Sequence, residues 1–260
     1  MSLIQAVVLG LVQGVTEFIP VSSSAHLVLF PHLFGWKDQG LAYDVALHWG
    51  TLAALILYFR GDILSLAKGA LGRGEKNAGR LAWGIVLATI PAAAAGVFLD
   101  DYVETIFRRP ERIAGALILF GILLGIADRL GRKEGTLETV DWKIALGIGC
   151  AQALAIMPGV SRSGSTITAA LLLGLSRVEA ARYSFLLGIP VIMGAGILKI
   201  RDISPEMLDA VFFLGIAVSF ISGYGAIRFL LGFLSKKGLT GFAVYRVALG
   251  LTIIAFALAR

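Results

Sequence analysis

The chain has 260 residues, 57% of them hydrophobic and only 15% charged, with a mean hydropathy of +0.85. A water-soluble domain carries about 25% charged residues and could not cover its surface with so little polar material. The composition therefore places the chain in a bilayer and excludes a disordered segment or a disulfide scaffold. A net charge of +6 and a pI of 9.6 fit Lys and Arg gathered in cytoplasmic loops beside anionic lipid, not a nucleic-acid surface. Cys150, the single cysteine, lies in the apolar stretch Ile148–Ala155 and reads as an inert, buried small side chain.

A spanning helix needs roughly 20 mostly apolar residues. The first two apolar stretches, Leu3–Phe18 and Val21–Phe34, are too short, and Glu17-Phe18-Ile19-Pro20-Val21-Ser22-Ser23-Ser24 joins them. No basic segment precedes them, the first Lys or Arg being Lys37, so they read as mature chain and not as a cleavable leader. Three spans follow: Leu41–Phe59, Leu81–Leu99 and Ile113–Ala127. A second pair of short stretches, Lys143–Met157 and Ser165–Leu175, flanks Pro158-Gly159-Val160-Ser161-Arg162-Ser163-Gly164, and the spans Tyr183–Ile200, Val211–Leu231 and Ala243–Leu258 complete the chain. Proline removes a backbone donor and glycine loosens the chain, so each short pair reads as two half-helices joined by a polar turn at membrane depth.

The two broken regions match each other. Gln13, Val21, Ser22 and Ser24 recur in the same spacing as Gln152, Val160, Ser161 and Ser163, all at one constant offset, and Arg60-Gly61-Asp62-Ile63 lies close in register to Arg201-Asp202-Ile203. The segments 60–80, 128–143, 177–182 and 228–246 hold 15 Lys and Arg, against 7 on the opposite side: Lys37, Arg108, Arg109, Arg112, Lys199, Arg201 and Arg260. The first group is expected in the cytoplasm, with both termini outside and the two hairpins entering from opposite faces. The expected fold is an all-α polytopic membrane protein: six spanning helices plus two re-entrant helical hairpins, related by an inverted-topology repeat. One domain covers 1–260, with repeat 1 at about 1–127 (hairpin 3–34) and repeat 2 at about 143–260 (hairpin 143–175).

Ionisable groups at membrane depth are costly and mark function by default; the tips supply Glu17, His26 and Arg162. A plain structural pairing of Glu17 with Arg162, with His26 as a core histidine, is the competing reading. Arg162, set among Ser161, Ser163, Ser165 and Thr166 before an apolar helix, combines a bidentate guanidinium with a helix N-terminus and suits a phosphate. Facing it, Glu17, the hydroxyls of Ser22-Ser23-Ser24 and His26 suit phosphoryl transfer. A carboxylate beside phosphates also suits a hard divalent cation. Asp44 and His48 share one face of the first span, lining the outer mouth or sitting at the interface; His32 reads as interfacial. Ser176-Arg177-Val178-Glu179 reads as a capping box, and Gly121 with Gly125, like Ala92 with Gly96, reads as helix packing.

Through Gln13-Gly14-Val15-Thr16-Glu17-Phe18-Ile19-Pro20-Val21-Ser22-Ser23-Ser24-Ala25-His26 and Pro158 to Thr166, the chain resembles the undecaprenyl-diphosphate phosphatase family of the bacitracin-resistance type. Ser184-Phe185-Leu186-Leu187 and Phe242-Ala243-Val244-Tyr245-Arg246 extend the likeness over nearly the whole chain. The resemblance implies a bacterial plasma-membrane enzyme that removes the terminal phosphate of undecaprenyl diphosphate at the outer face, recycling the lipid carrier of peptidoglycan. It implies a divalent cation, Mg or Ca, with Glu17 as a ligand. The partners it implies are polyprenyl diphosphate and membrane lipid, with room for a homodimer. Carried over residue by residue, the catalytic set is Glu17, Ser23, His26 and Arg162, with Ser161, Ser163 and Thr166 about the substrate phosphates; Ser22 and Gln13 are expected beside them. One departure stands out: many relatives carry Glu-x3-Glu in the first hairpin, and its first position here is Gln13. Ser23 as nucleophile with His26 as proton partner, and direct attack by water with Glu17 or His26 as base, both stay open. A secondary transporter or polyprenyl-phosphate flippase using the same repeat is the alternative from another class.

Overall fold

The computed structural model describes residues 1–37, 39–107 and 109–258. Those residues form eleven α-helices: α1 (Leu3–Phe18), α2 (Ser23–Phe34), α3 (Leu41–Tyr58), α4 (Arg60–Ala70), α5 (Lys76–Phe107), α6 (Pro110–Leu130), α7 (Trp142–Ala153), α8 (Arg162–Leu172), α9 (Arg177–Leu198), α10 (Ala210–Leu234) and α11 (Thr240–Leu258). Among them there is no strand beyond a single bridge between Gly135 and Leu175. Segments of α5, α6, α9, α10 and α11 are long and apolar enough to cross a membrane, and α3 and α4, bent by 76° between them, are so only when taken together. Phe98 and Leu258, 81% and 82% exposed, are side chains that only lipid would cover. The chain is thus an all-helical polytopic membrane protein. Helices α5 and α6 overrun the expected spans at both ends, because polar first and last turns can extend past the hydrocarbon core.

Local chemistry sets the helix ends. Ser2 and Gln5 form a reciprocal capping box at α1, and Asp141, Ser176 and Asp209 cap α7, α9 and α10 through their side chains. The two hairpin turns adopt one conformation. Ser22 and Ser161 each have positive φ, 77° and 71°, where a side chain is rarely tolerated and costs about 1–2 kcal/mol. Each accepts a hydrogen bond at Oγ from the backbone N–H three residues on, Ala25 at 3.4 Å and Gly164 at 3.1 Å.

The packing repeats as well. Helix α1 lies against α10 and α7 against α5, so each hairpin docks on a long helix of the other half. A Cβ on Gly10 would meet Gly215 O at 2.6 Å, and one on Gly149, its counterpart in the repeat, would meet Ala88 O at 2.5 Å; both contacts require glycine. Gly121 packs against α11 as expected, whereas a Cβ on Gly96 would meet nothing within 4 Å; Ala92 and Gly96 line a cavity instead of a helix contact. Cys150 is exposed on α7, contrary to the buried placement its apolar neighbours suggested, because apolar neighbours in a membrane helix face lipid as readily as core.

Two ion pairs tie helix ends on the basic side: Arg177 with Asp128 at 2.5 Å and Arg182 with Asp62 at 2.7 Å. Of the charges counted on the opposite side, Arg108 and Arg260 lie outside the described residues. Arg246, counted with the basic loops, is instead fully buried inside the protein. It lies six residues into α11, about 9 Å at 1.5 Å per residue, and reaches both hairpin turns. Its guanidinium donates to Gly159 O (2.9 Å) and Val160 O (2.8 Å) and, at 3.4 Å, to Pro20 O. Replacing Arg246 by Met leaves three buried carbonyls without these donors, a loss of about 3 kcal/mol. The thermal midpoint in detergent is expected to fall accordingly, with Arg246→Lys recovering less than half because an ammonium cannot span both turns. An unchanged midpoint in the Met variant would show that the turns hold without the clamp.

Candidate active site

Helix α1 ends one residue after Glu17, and α2 opens on Ser23. This brings the carboxylate and the hydroxyl back against each other across the Ile19–Ser22 turn. Ser23 Oγ donates to Glu17 Oε2 at 2.6 Å. From the other hairpin Arg162, the first residue of α8, donates through Nη2 to Glu17 Oε1 at 2.8 Å and through Nη1 to Ser184 O, also at 2.8 Å. Gly188 makes room for this guanidinium: a Cβ there would stand 2.4 Å from Arg162 Nη1. Gln13, one turn before Glu17, donates through Nε2 to Glu17 Oε2 at 3.2 Å.

A fourth group completes the cluster. His48 on α3 places Nε2 3.4 Å from Glu17 Oε2, and its Nδ1 donates to Asp44 O at 2.7 Å. Both oxygens of a nearly buried carboxylate are thereby held by an arginine, a serine, a glutamine and a histidine. A buried ion pair contributes little net stability. Its worth is that the charges are fixed in place before any ligand arrives.

Glu17, Ser23, His48, Ser161 and Arg162 line a cavity of about 340 Å³, together with Ser24, Thr89 and Gln152. From there the cavity runs between α5 and α9, walled by the small residues Ala92, Ala93, Gly96, Gly194, Ala195 and Gly196. On each of those helices the walls are far from the ends that begin at Lys76 and Arg177. The cavity thus extends away from the basic loops.

Other residues singled out in the sequence lie elsewhere. His26 is not among the cavity-lining residues: Nδ1 faces Ser22 O at 2.7 Å, Nε2 faces Tyr245 Oη at 2.8 Å, and the ring stacks on Tyr245. Ser23 bonds to Glu17 and not to His26. Thr166 is buried and bonded to Arg162 O, Ser163 O and Ser184 Oγ, while Ser22 and Ser163 pair with Ser24 and Ser161 inside their turns. These groups shape the turns that hold Ser23 and Arg162. Gln13 stands behind Glu17, its Oε1 buried without a hydrogen-bond partner among the described residues.

His48, Gln152, Tyr245 and Arg246 were not in the expected set. A signal existed for two of them: His48 shares a face with Asp44, and Gln152 is the repeat partner of Gln13. No local pattern in the sequence points Tyr245 at His26, since the two stand near opposite ends of the chain.

Among the described residues no group of three His, Cys, Asp or Glu side chains is placed to hold a metal ion. A Mg²⁺ ion can nevertheless bind through one carboxylate, waters and substrate phosphates. Glu17, which lines the cavity, supplies an oxygen of that kind.

The family described as bacitracin resistance protein BacA matches residues 6–252. The undecaprenyl-diphosphatase of Elusimicrobium minutum (strain Pei191) is 50% identical over 261 residues, covering 100% of both chains. That of Moorella thermoacetica is 47% identical over 255 residues and that of Desulforudis audaxviator 49% over 257, each covering 98% of both chains. With its two polar turns, its clustered carboxylate, serine and arginine, and this likeness from end to end, the chain belongs to the bacitracin resistance protein BacA family.

Proposed function

We propose that the protein is an undecaprenyl-diphosphate phosphatase, releasing inorganic phosphate and leaving undecaprenyl phosphate, as the names of its full-length relatives indicate. One observation carries the chemistry. A serine hydroxyl donates to a carboxylate whose second oxygen binds an arginine, in a cavity that continues between small apolar residues. The polar end suits a diphosphate and the apolar end a prenyl chain, whose length keeps it in the bilayer.

The geometry supports the following sequence. Arg162 grips the terminal phosphoryl group and stabilises the charge that develops on it. Glu17 takes the proton of Ser23 as Oγ attacks phosphorus and the bridging phosphorus–oxygen bond breaks. His48, with acceptors at both ring nitrogens, carries a proton on Nε2 that it gives to the departing phosphate oxygen. The proton on Glu17 passes to His48 Nε2, 3.4 Å away, restoring both groups. Glu17 then takes a proton from the water that attacks the phosphoserine, the Oγ–phosphorus bond breaks, and that proton goes to the departing Ser23 Oγ as inorganic phosphate leaves. Ser23 is favoured over direct attack by water because its hydroxyl already bonds to the base. His26 acts on the turn, through Ser22 and Tyr245.

A divalent cation, Mg or Ca, held by Glu17, would supply added charge neutralisation for the diphosphate. We place the protein in the bacterial inner membrane with both termini outside and the site open to the periplasm. The side assigned by the basic loops supports this, since the cavity runs away from them. Phosphate release there sustains the carrier supply for peptidoglycan and counters bacitracin.

Two substitutions test the mechanism in detergent with undecaprenyl diphosphate as substrate, where phosphate release reads hydrolysis and transport is not measured. Ser23→Ala is expected to lower kcat by at least about 10²-fold, and near-wild-type turnover would transfer the attack to water. For His48→Gln the expected loss is also about 10²-fold, with the sensitivity to leaving-group protonation removed from the pH–rate profile. An unaltered profile would take the acid role from His48.

A further inference from the structure

Gln152 is 2% exposed, and neither its Oε1 nor its Nε2 has a hydrogen-bond partner among the described residues. A buried carboxamide left in that condition carries the desolvation penalty of each unmade bond with nothing to offset it. Yet it lines the same cavity as Glu17, Ser161 and Arg162. The repeat shows what it lacks. Gln13, its counterpart in the first hairpin, spends its Nε2 on Glu17, one helical turn further along α1. The matching position one turn after Gln152 is held by Ile156, and it too lines the cavity. The second half of the molecule therefore has the donor without the carboxylate that satisfies it in the first.

We infer that the missing acceptor is the substrate's own anion, and that Gln152 is a diphosphate-binding residue whose Nε2 donates to a phosphate oxygen opposite the grip of Arg162. This rests on the proposed phosphatase reading and adds to it a residue from the second hairpin. The neutral amide suits the task. It binds an anion beside Glu17 without placing a second cation where Arg162 already neutralises the carboxylate.

The test pairs Gln152→Leu with Gln152→Glu in the full-length protein. For the leucine variant, KM for undecaprenyl diphosphate is expected to rise about ten- to hundred-fold, the worth of a hydrogen bond to a charged group, with kcat within a few-fold of wild type. The inhibition constant of inorganic pyrophosphate, which has the headgroup and no tail, should rise by the same factor. The thermal midpoint should hold or increase, since an apolar isostere removes an unsatisfied polar group. Gln152→Glu should bind both ligands more weakly than Gln152→Leu. A leucine variant that melts lower with unchanged constants would make Gln152 structural, and a raised KM with an unmoved pyrophosphate constant would assign it to the tail; either overturns the inference. Failure of the wild-type protein to release phosphate would instead overturn the phosphatase reading, with pyrophosphate binding still testing Gln152.

Discussion

Inside a bilayer a carbonyl that leaves a helix has no water to turn to, and the protein must supply a donor. Two half-helices that stop at Phe18 and Ala153 create that demand twice, and the buried guanidinium of Arg246 answers it at both turns. No smaller side chain could do this, because only a planar group with several donors reaches carbonyls on two separate segments. Everything at the site follows from the turns being held together. Ser22 and Ser161 stay at positive φ because their surroundings determine them, and the first residues of α2 and α8 then face one cavity.

The consequence for chemistry is preorganisation. Glu17 comes from one hairpin, Arg162 from the other and His48 from a span between them, so the cluster exists only in the assembled fold. Its charges are fixed by Gly188, which lets the guanidinium lie against α9, and by Ser184 O, which takes its second donor. Held this way, a carboxylate can act as base toward Ser23 without reorganising when substrate enters, which is where electrostatic catalysis gains most.

Composition and hydropathy were enough for the class of fold and for five of the six expected spans, because the length of a bilayer helix is a one-dimensional property. The two turns were legible for a related reason, since proline, glycine and serine runs break periodicity locally, and their match at one offset survives in the letters. Glu17, Ser23 and Arg162 could be read for the same cause. Arg246 could not: counting loop charges assigns an arginine near a helix start to the interface, and only the packing of α11 against α6 carries it inward. The surroundings of His26 were hidden by the same limit. Its spacing from Ser23 is local, but its orientation is set by Tyr245 from the far end of the chain.

The repeat explains why one geometry can serve two chemistries. Ser23 and Arg162 are repeat partners in the same register as the turns themselves, each the first residue of its half-helix and each facing the cavity. Glu17 and Ile156 are likewise equivalent, as are Gln13 and Gln152. A symmetric site would put two like groups at each pair of positions: two serines without a cation, or two arginines without a nucleophile. In the proposed mechanism, divergence at the first two pairs gives one half the base and the attacking hydroxyl and the other half the anion grip; of the two glutamines, alike in the letters, only Gln13 has a side-chain partner among the described residues. The fold constrains position and leaves identity open, and the asymmetry of those side chains gives the cavity a direction, with the carboxylate and the serine hydroxyl on the first hairpin and the guanidinium on the second.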